Sequence, residues 1–369
     1  MIHYILIILL IFTPFHLKAN NDLVNNLITD ENFEITVFAD GINTPRQMSE
    51  GNKGYIFVGT KSGQVHAIRD TDKNGTIDQN ILIADNLNDP AGVAFHDGNL
   101  YIAEVGKIWK VEDIETILDK NQVEEFKLQL ITDELPNESW HGRKWIKFDK
   151  DGSFLVNVGA PCNVCLKDDK RFASIMRFEN GSWQIEANGV RNSVGFDWHP
   201  ITKKMYFSDN GRDWLGDDSP SCELNVVDKE GSFFGYPFKH AKNVIDPEFG
   251  SMIPTLNKDF IDPIAELGPH VAPLGIAFYD NDIFPKKYKN SIFVALHGSW
   301  NRTKKSGYTV VFVKLDDDGN YLYQEDFITG WLSNESAWGR PVSPYIMNDG
   351  SMLLSDDKYN VIYRVTYKG

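Results

Sequence analysis

Three residues capable of chemistry stand just ahead of short alternating segments: His141 in His141-Gly142-Arg143-Lys144, Arg191 in Arg191-Asn192-Ser193-Val194 and Arg340 in Arg340-Pro341-Val342-Ser343. An imidazole titrates close to neutral pH and can take up a proton, while a guanidinium forks onto carboxylates and stacks on flat rings. Two further segments add related groups, Asp209-Asn210-Gly211-Arg212 and His297-Gly298-Ser299-Trp300-Asn301-Arg302. Brought together, such residues would form a pocket for an anionic, planar ligand, with arginines on its carboxylates and Trp300 on its face.

The elements that must position them repeat along the chain. Six copies open at Pro45-Arg46-Gln47-Met48, Pro90-Ala91-Gly92-Val93, His141, Arg191, Pro273-Leu274-Gly275-Ile276 and Arg340. Each continues through an alternating strand, a turn rich in Asp, Gly, Asn or Lys, and a second strand such as Tyr55-Ile56-Phe57-Val58 or Met205-Tyr206-Phe207-Ser208. Self-similarity with a period of roughly 40–50 residues, made of short strands, indicates a β-propeller. The expectation is an all-β, six-bladed propeller in which residues 20–369 form one domain. Phe33 to Ala39 alternates as a strand but precedes the first copy, and the last copy has nothing left for an outer strand, so the N-terminal strand is expected to close the ring. A short helix is expected over Asp113 to Lys120, between the second and third repeats. An insertion of about 234–269 is expected between blades four and five. In a propeller, the segment leading into each inner strand and the loop between the second and third strands emerge on one face. His141, Arg191, Arg340 and the loops at Asp209 and His297 should therefore converge on one mouth of the central channel.

A net charge of −15 with a pI near 5.0 argues against nucleic acid or anionic lipid as a partner. Tyr4 to Phe12 is apolar but too short for a mature membrane span, and Leu17-Lys18-Ala19 fits a cleavage site, so residues 1–19 read as a signal peptide. The expectation is a periplasmic or secreted protein with no membrane insertion after cleavage. Cys162-Asn163-Val164-Cys165 lacks a second such pair for zinc and reads as a disulfide pinning its loop, with Cys222 buried and unpaired. Asp70-Thr71-Asp72-Lys73-Asn74-Gly75-Thr76-Ile77-Asp78 places Asp70, Asp72, Asn74 and Asp78 as the first, third, fifth and ninth residues of an EF-hand-like loop, with Ile81 where a Glu is needed. Two readings stand: a solvated Asx turn, or a structural calcium site on the face away from the mouth.

The stretches Trp140-His141-Gly142-Arg143, Gly189-Val190-Arg191-Asn192, Asp209-Asn210-Gly211-Arg212-Asp213 with Glu223-Leu224-Asn225, His297-Gly298-Ser299-Trp300-Asn301-Arg302 and Gly339-Arg340-Pro341 occur in that order. Together they resemble the soluble dehydrogenases of sugars that depend on pyrroloquinoline quinone (PQQ), in particular the sorbosone-dehydrogenase-like branch, from about Pro45 to Val365. The resemblance implies PQQ and calcium at the channel mouth and His141 as the base for a sugar hydroxyl. It also implies that Arg191 and Asn192 flank the quinone carbonyl and that Arg340 pairs with a cofactor carboxylate. Backbone carbonyls of Asp209, Asn210, Gly211 and Arg212 would meet the calcium, and Asn210, Trp300, Asn301 and Arg302 would complete the cofactor contacts. Glucose-oxidising members have a Gly-Pro step where Gly211-Arg212 stands here, and for their lysine contact Arg302, Lys304 or Lys305 could substitute.

The resulting expectation is a PQQ- and calcium-dependent oxidoreductase that takes hydride from an aldose, or a related sugar aldehyde or alcohol, and passes electrons to an unidentified acceptor. Two alternatives differ in chemistry. A calcium-dependent propeller lactonase or hydrolase needs side-chain Glu, Asn and Asp at the channel axis, where this chain has Arg, His and Pro. A non-catalytic propeller would bind a partner or glycan without cofactor.

Overall fold

The computed structural model describes residues 24–179 and 181–369; the expected signal peptide lies outside them. Six sheets surround a central channel, each starting at an inner strand and stepping outward, with neighbouring strands antiparallel except that Ser232–Phe233 adds in parallel at the outer edge of blade 3. Blade 1 runs Pro45–Glu50, Ile56–Thr60, Val65–Arg69 and Gln79–Ala84, and blade 2 runs Gly92–His96, Asn99–Glu104, Lys107–Val111 and Gln129–Thr132. The inner strands of blades 3 to 6 are Ile146–Phe148, Phe196–Trp198, Pro273–Tyr279 and Pro341–Ile346.

The N-terminal strand closes the ring as the repeat count requires. Phe33–Asp40 pairs antiparallel with Val361–Tyr367 as the outer strand of blade 6, in the register Phe33↔Tyr367. This contact ties the two ends together and pairs an otherwise open strand edge. Phe33 is 7% exposed and packs edge-on against Phe284 and Phe327 of blade 5. Burying such a ring contributes roughly 1.5–3 kcal/mol.

Alternation along each strand sends one apolar set to either neighbouring blade, so the core is a ring of inter-blade layers. Trp145, Leu155 and Ile175 of blade 3 pack with Phe196, Met205 and Phe207 of blade 4. Ile276, Val294 and Val313 of blade 5 meet Tyr206 and Leu224 of blade 4. Near the axis the inner strands approach too closely for side chains at some positions. A Cβ on Gly195 would stand 2.4 Å from the Leu274 carbonyl, and one on Gly275 would stand 2.8 Å from the Ser343 Cα.

Two placements differ from the sequence reading. The helix, Ile114–Asp119, lies inside blade 2 between its third and fourth strands, not between repeats. The segment 234–269 is likewise internal to blade 4: it holds a small hairpin (Lys239–His240 with Val244–Ile245) and a 3-10 turn (Gly250–Thr255), and ends in that blade's outer strand, Ala265–Pro269. Apolar alternation in Ala265-Glu266-Leu267 was masked by the Pro- and Asp-rich run before it. No helix among the described residues is long and apolar enough to cross a membrane.

Candidate functional site

Arg191 leads into the inner strand of blade 4, and nearly every polar atom it carries is placed. Its Nε donates to the Asn163 carbonyl (2.9 Å), Nη1 to the Asn210 carbonyl (3.1 Å), and Nη2 to Asn163 Oδ1 (2.9 Å) and Asp213 Oδ2 (3.2 Å). The backbone amides of Arg191 and Asn192 both donate to the Asp209 carboxylate, at 2.8 and 2.6 Å. Asn163 sits between Cys162 and Cys165, which form the expected disulfide with a Cα–Cα distance of 6.2 Å. The Tyr236 hydroxyl adds a bond from the Cys165 amide at 3.0 Å. The short covalent loop therefore positions one asparagine against one guanidinium. Cys222 is free and buried, as expected.

His141 leads towards blade 3 with φ 53, and Gly159 leaves room for it: a Cβ there would stand 2.6 Å from the His141 Cβ. Its Nδ1 meets the Ala160 carbonyl at 2.7 Å, and the Trp140 indole N–H donates to Nε2 at 3.1 Å. These partners assign the neutral tautomer with the proton on Nδ1 and a lone pair on Nε2. Burial, and next the positive charge of Arg191, push the His141 pKa down to about 3.

Arg340 leads into blade 6. Its Nε and Nη2 donate to the carbonyls of His297 (2.9 Å) and Gly298 (2.6 Å), and its guanidinium lies 5.6 Å from the Tyr308 ring centre. Among the described residues no carboxylate pairs with that guanidinium. The His297 imidazole instead meets Asp357 at 2.7 Å, and Asp357 also receives Arg46 (2.9 Å) and Lys61 (3.4 Å). Burial pushes the His297 pKa down to about 4 despite Asp357, whose own carboxyl is held well below its ordinary range chiefly by His297 and Arg46.

The remaining expected residues divide. The Asn210 amide group donates to the carbonyls of Asn192 and Pro273, both at 2.9 Å, stitching blade 4 to blade 5. Arg212 turns away from the mouth to Asp246 and Glu248 of the blade 4 insertion. The side chains of Asp209 and Arg212 are thus both taken, and of the backbone carbonyls in Asp209–Arg212 that of Asn210 already accepts Arg191. Trp300 is 66% exposed, and Asn301 lies half-buried in the same turn. Arg302 is held by the Asp217 carbonyl (3.0 Å) and the Asp218 carboxylate (2.8 Å). On the opposite face, Asp70 accepts the amides of Asn74 and Gly75, Asp72 accepts Asn74, and Asp78 accepts Thr71. These are Asx-turn bonds, compatible with either reading of the loop.

Asp197, six residues after Arg191, does not touch it and instead takes Lys147 and the Phe278 amide. The sequence reading missed Asn163, Asp213 and Asp357 as partners of the mouth arginines. A rule visible in the repeats would have found two of the three. The arginine at or just before the start of an inner strand reaches back to the second-to-third strand loop of the preceding blade: Arg191 to Asn163, Arg340 to His297 and Gly298, Arg46 to Asp357. A cavity of about 580 Å³ around Asp149, Arg177, Asp197 and Trp198 opens on the other face and includes neither His141 nor any of the three arginines.

Known proteins resemble this chain at three levels. A protein of Borreliella burgdorferi described as uncharacterized is 36% identical over 364 residues, 95% of this chain and 93% of that one. A family model described as TrAA12-like matches residues 254–367. Among solved structures, a carbohydrate-active enzyme of family AA12 from Trichoderma reesei superposes with a TM-score of 0.77 at 19% identity, covering 92% of this chain and 97% of that one. The holo PQQ domain of pyranose dehydrogenase from Coprinopsis cinerea superposes with a TM-score of 0.75 at 18% identity and the same coverage.

Proposed function

We propose that the chain is a PQQ- and calcium-dependent oxidoreductase of sugars with His141 as general base, a reading supported by its sequence motifs and by its likeness in fold to the PQQ domain of pyranose dehydrogenase. The observation that carries this is Arg340, a guanidinium fixed by two neutral carbonyls with no carboxylate to neutralise it, in a protein of net charge −15. A cation held open in this way fits a carboxylate-bearing cofactor. Arg340 and Arg191 would hold PQQ with Asn192, and carbonyls of the Asp209–Arg212 loop would hold calcium. When bound, PQQ supplies a quinone that accepts hydride.

The chain's own residues do the rest. The Nε2 lone pair of His141 accepts the proton of the sugar hydroxyl while Nδ1–H stays on Ala160, so the ring cannot rotate away. Trp140, now on Nε2, must yield that position to the substrate hydroxyl. A fixed positive charge at Arg191, held by Asn163 and Asp213, stabilises negative charge developing beside it without reorganisation. The exported location expected from the N-terminus fits the disulfide and a sugar substrate outside the cytoplasm.

The test is reconstitution of the full chain with PQQ and calcium, read by cofactor absorbance, thermal shift and dye reduction over a panel of aldoses. Activity that His141→Ala abolishes, with PQQ binding retained, is the expected result. Absence of both a spectral change and thermal stabilisation would leave a cofactor-free binding propeller.

A further inference from the structure

We propose that Trp214 and Trp300 form a stacking platform on the rim of the mouth for the rings of a neutral oligosaccharide, so that the substrate class is the end of a glycan chain. The binding step stands alone; that the bound end is then oxidised rests on the proposed function. Both indoles are 66% exposed, an unusual state for the side chain with the largest apolar surface. They meet edge to face with ring centres 5.5 Å apart and an interplanar angle of 85°, so each can keep a face open. The apolar C–H face of a pyranose matches the electron-rich face of an indole.

The two rings come from different blades yet are fixed together. Trp214 follows Asp213, which pairs with Arg191 at 3.2 Å. Trp300 lies two residues beyond Gly298, whose carbonyl takes Arg340 at 2.6 Å. The platform therefore begins within one or two residues of contacts made by both mouth arginines. Arg302 ties the Trp300 turn to the Trp214 loop through Asp217 and Asp218, and His270 braces that loop at the Gly216 carbonyl (2.8 Å). Trp214 also holds φ 71, a strained conformation for a bulky residue that the surrounding bonds must maintain. A loop fixed by side-chain bonds while it presents an indole to solvent is preorganised for a ligand. The net charge of −15 disfavours polyanionic glycans and selects neutral ones.

Calorimetric titration of the full chain, with and without PQQ and calcium, would use glucose and the malto-, cello-, xylo- and chito-trisaccharides as probes. At least one trisaccharide should bind ten times or more tighter than glucose, with or without cofactor. Trp214→Ala and Trp300→Ala, both surface substitutions, should each weaken it at least fivefold, and Trp300→Phe should recover most of the loss, with the PQQ affinity of Trp214→Ala within twofold of the parent. The platform is overturned if no trisaccharide outbinds glucose, or if the Ala variants bind trisaccharide normally, including the case where they alter only the KM of the electron acceptor. Trisaccharide binding without PQQ binding would keep the platform and remove the quinoprotein reading; PQQ-dependent glucose oxidation with silent Trp variants would do the reverse.

Discussion

Arg191 and Arg340 occupy equivalent places two blades apart, each just ahead of an inner strand and each reaching to the loop of the preceding blade, but their charges are treated differently. Arg191 is saturated, with Asn163, the Asn210 carbonyl and the carboxylate of Asp213 around it. The Arg340 backbone amide donates to Asp356 at 2.9 Å, but its guanidinium is held by two neutral carbonyls and, among the described residues, by no carboxylate. A third arginine, Arg46 of blade 1, shows the other extreme: it is 5% exposed and bound to Asp357, which is 7% exposed. One scaffold rule thus yields a structural arginine, a tuned one and an open one. The partner in the preceding blade's loop decides which. The same position in the repeat does not imply the same function.

The largest effect should fall on the structural member. Asp357→Asn leaves Arg46 buried without its carboxylate, which costs about 3–5 kcal/mol, measurable by chemical denaturation at neutral pH. The same hub gives a pH signature. His297 has its pKa lowered to about 4, so between its ordinary value and about 4 the unfolded chain binds a proton that the folded chain refuses. That contribution is present at neutral pH and lost as pH falls through this window. Asp209, raised by burial, and Glu223, raised by burial and next by Asp209, act with the opposite sign, while His141 and His240 act with the same one. The specific readout is therefore a difference. His297→Gln should flatten the dependence of stability on pH between about 6.5 and 4.5, by up to about one proton, relative to the parent. An unchanged slope would remove His297 from this role.

The open member should dominate cofactor binding. Arg340→Gln is expected to weaken PQQ on the order of 100-fold, about 2.7 kcal/mol, with a smaller effect on melting temperature because the lost bonds are two part-buried contacts to neutral carbonyls. The comparison breaks if Arg191→Gln costs more PQQ affinity than Arg340→Gln, since that would make the saturated arginine the main anchor.

Much of this was legible in the chain before its structure. Six openings with period-two alternation gave the ring, and the missing outer strand after Val361 gave its closure through Phe33–Asp40. His141, Arg191 and Arg340 stood out because each departs from the proline or small residue expected ahead of an inner strand. What the chain hid are partners contributed by other blades. Asp357 lies more than 300 residues from Arg46, and their pairing depends on ring closure, which local pattern does not encode. Asn163 looked like filler inside a disulfide loop, yet it makes the most contacts with Arg191. The Trp214–Trp300 pair was hidden for the same reason, since each lies in a loop whose position is set by a different blade.

The smallest effect concerns tuning, and its sign is the informative part. Asp213 lies 3.2 Å from Arg191 and offsets part of its charge. Asp213→Asn keeps the size and an acceptor oxygen for the Arg191 Nη2, while removing the negative charge. The uncompensated guanidinium should then attract an anionic cofactor more strongly, by roughly threefold to tenfold, or about 1 kcal/mol for a partly screened charge at this separation. The same change should press His141 further towards its neutral form, because Arg191 is already the second cause of its lowered pKa. PQQ titration monitored by absorbance gives the first quantity, and the chemical shift of the His141 ring against pH gives the second. If Asp213→Asn weakens PQQ binding and leaves the His141 titration unmoved, Asp213 serves to hold the loop rather than to set the charge, and Arg191 belongs with Arg46 among the structural arginines.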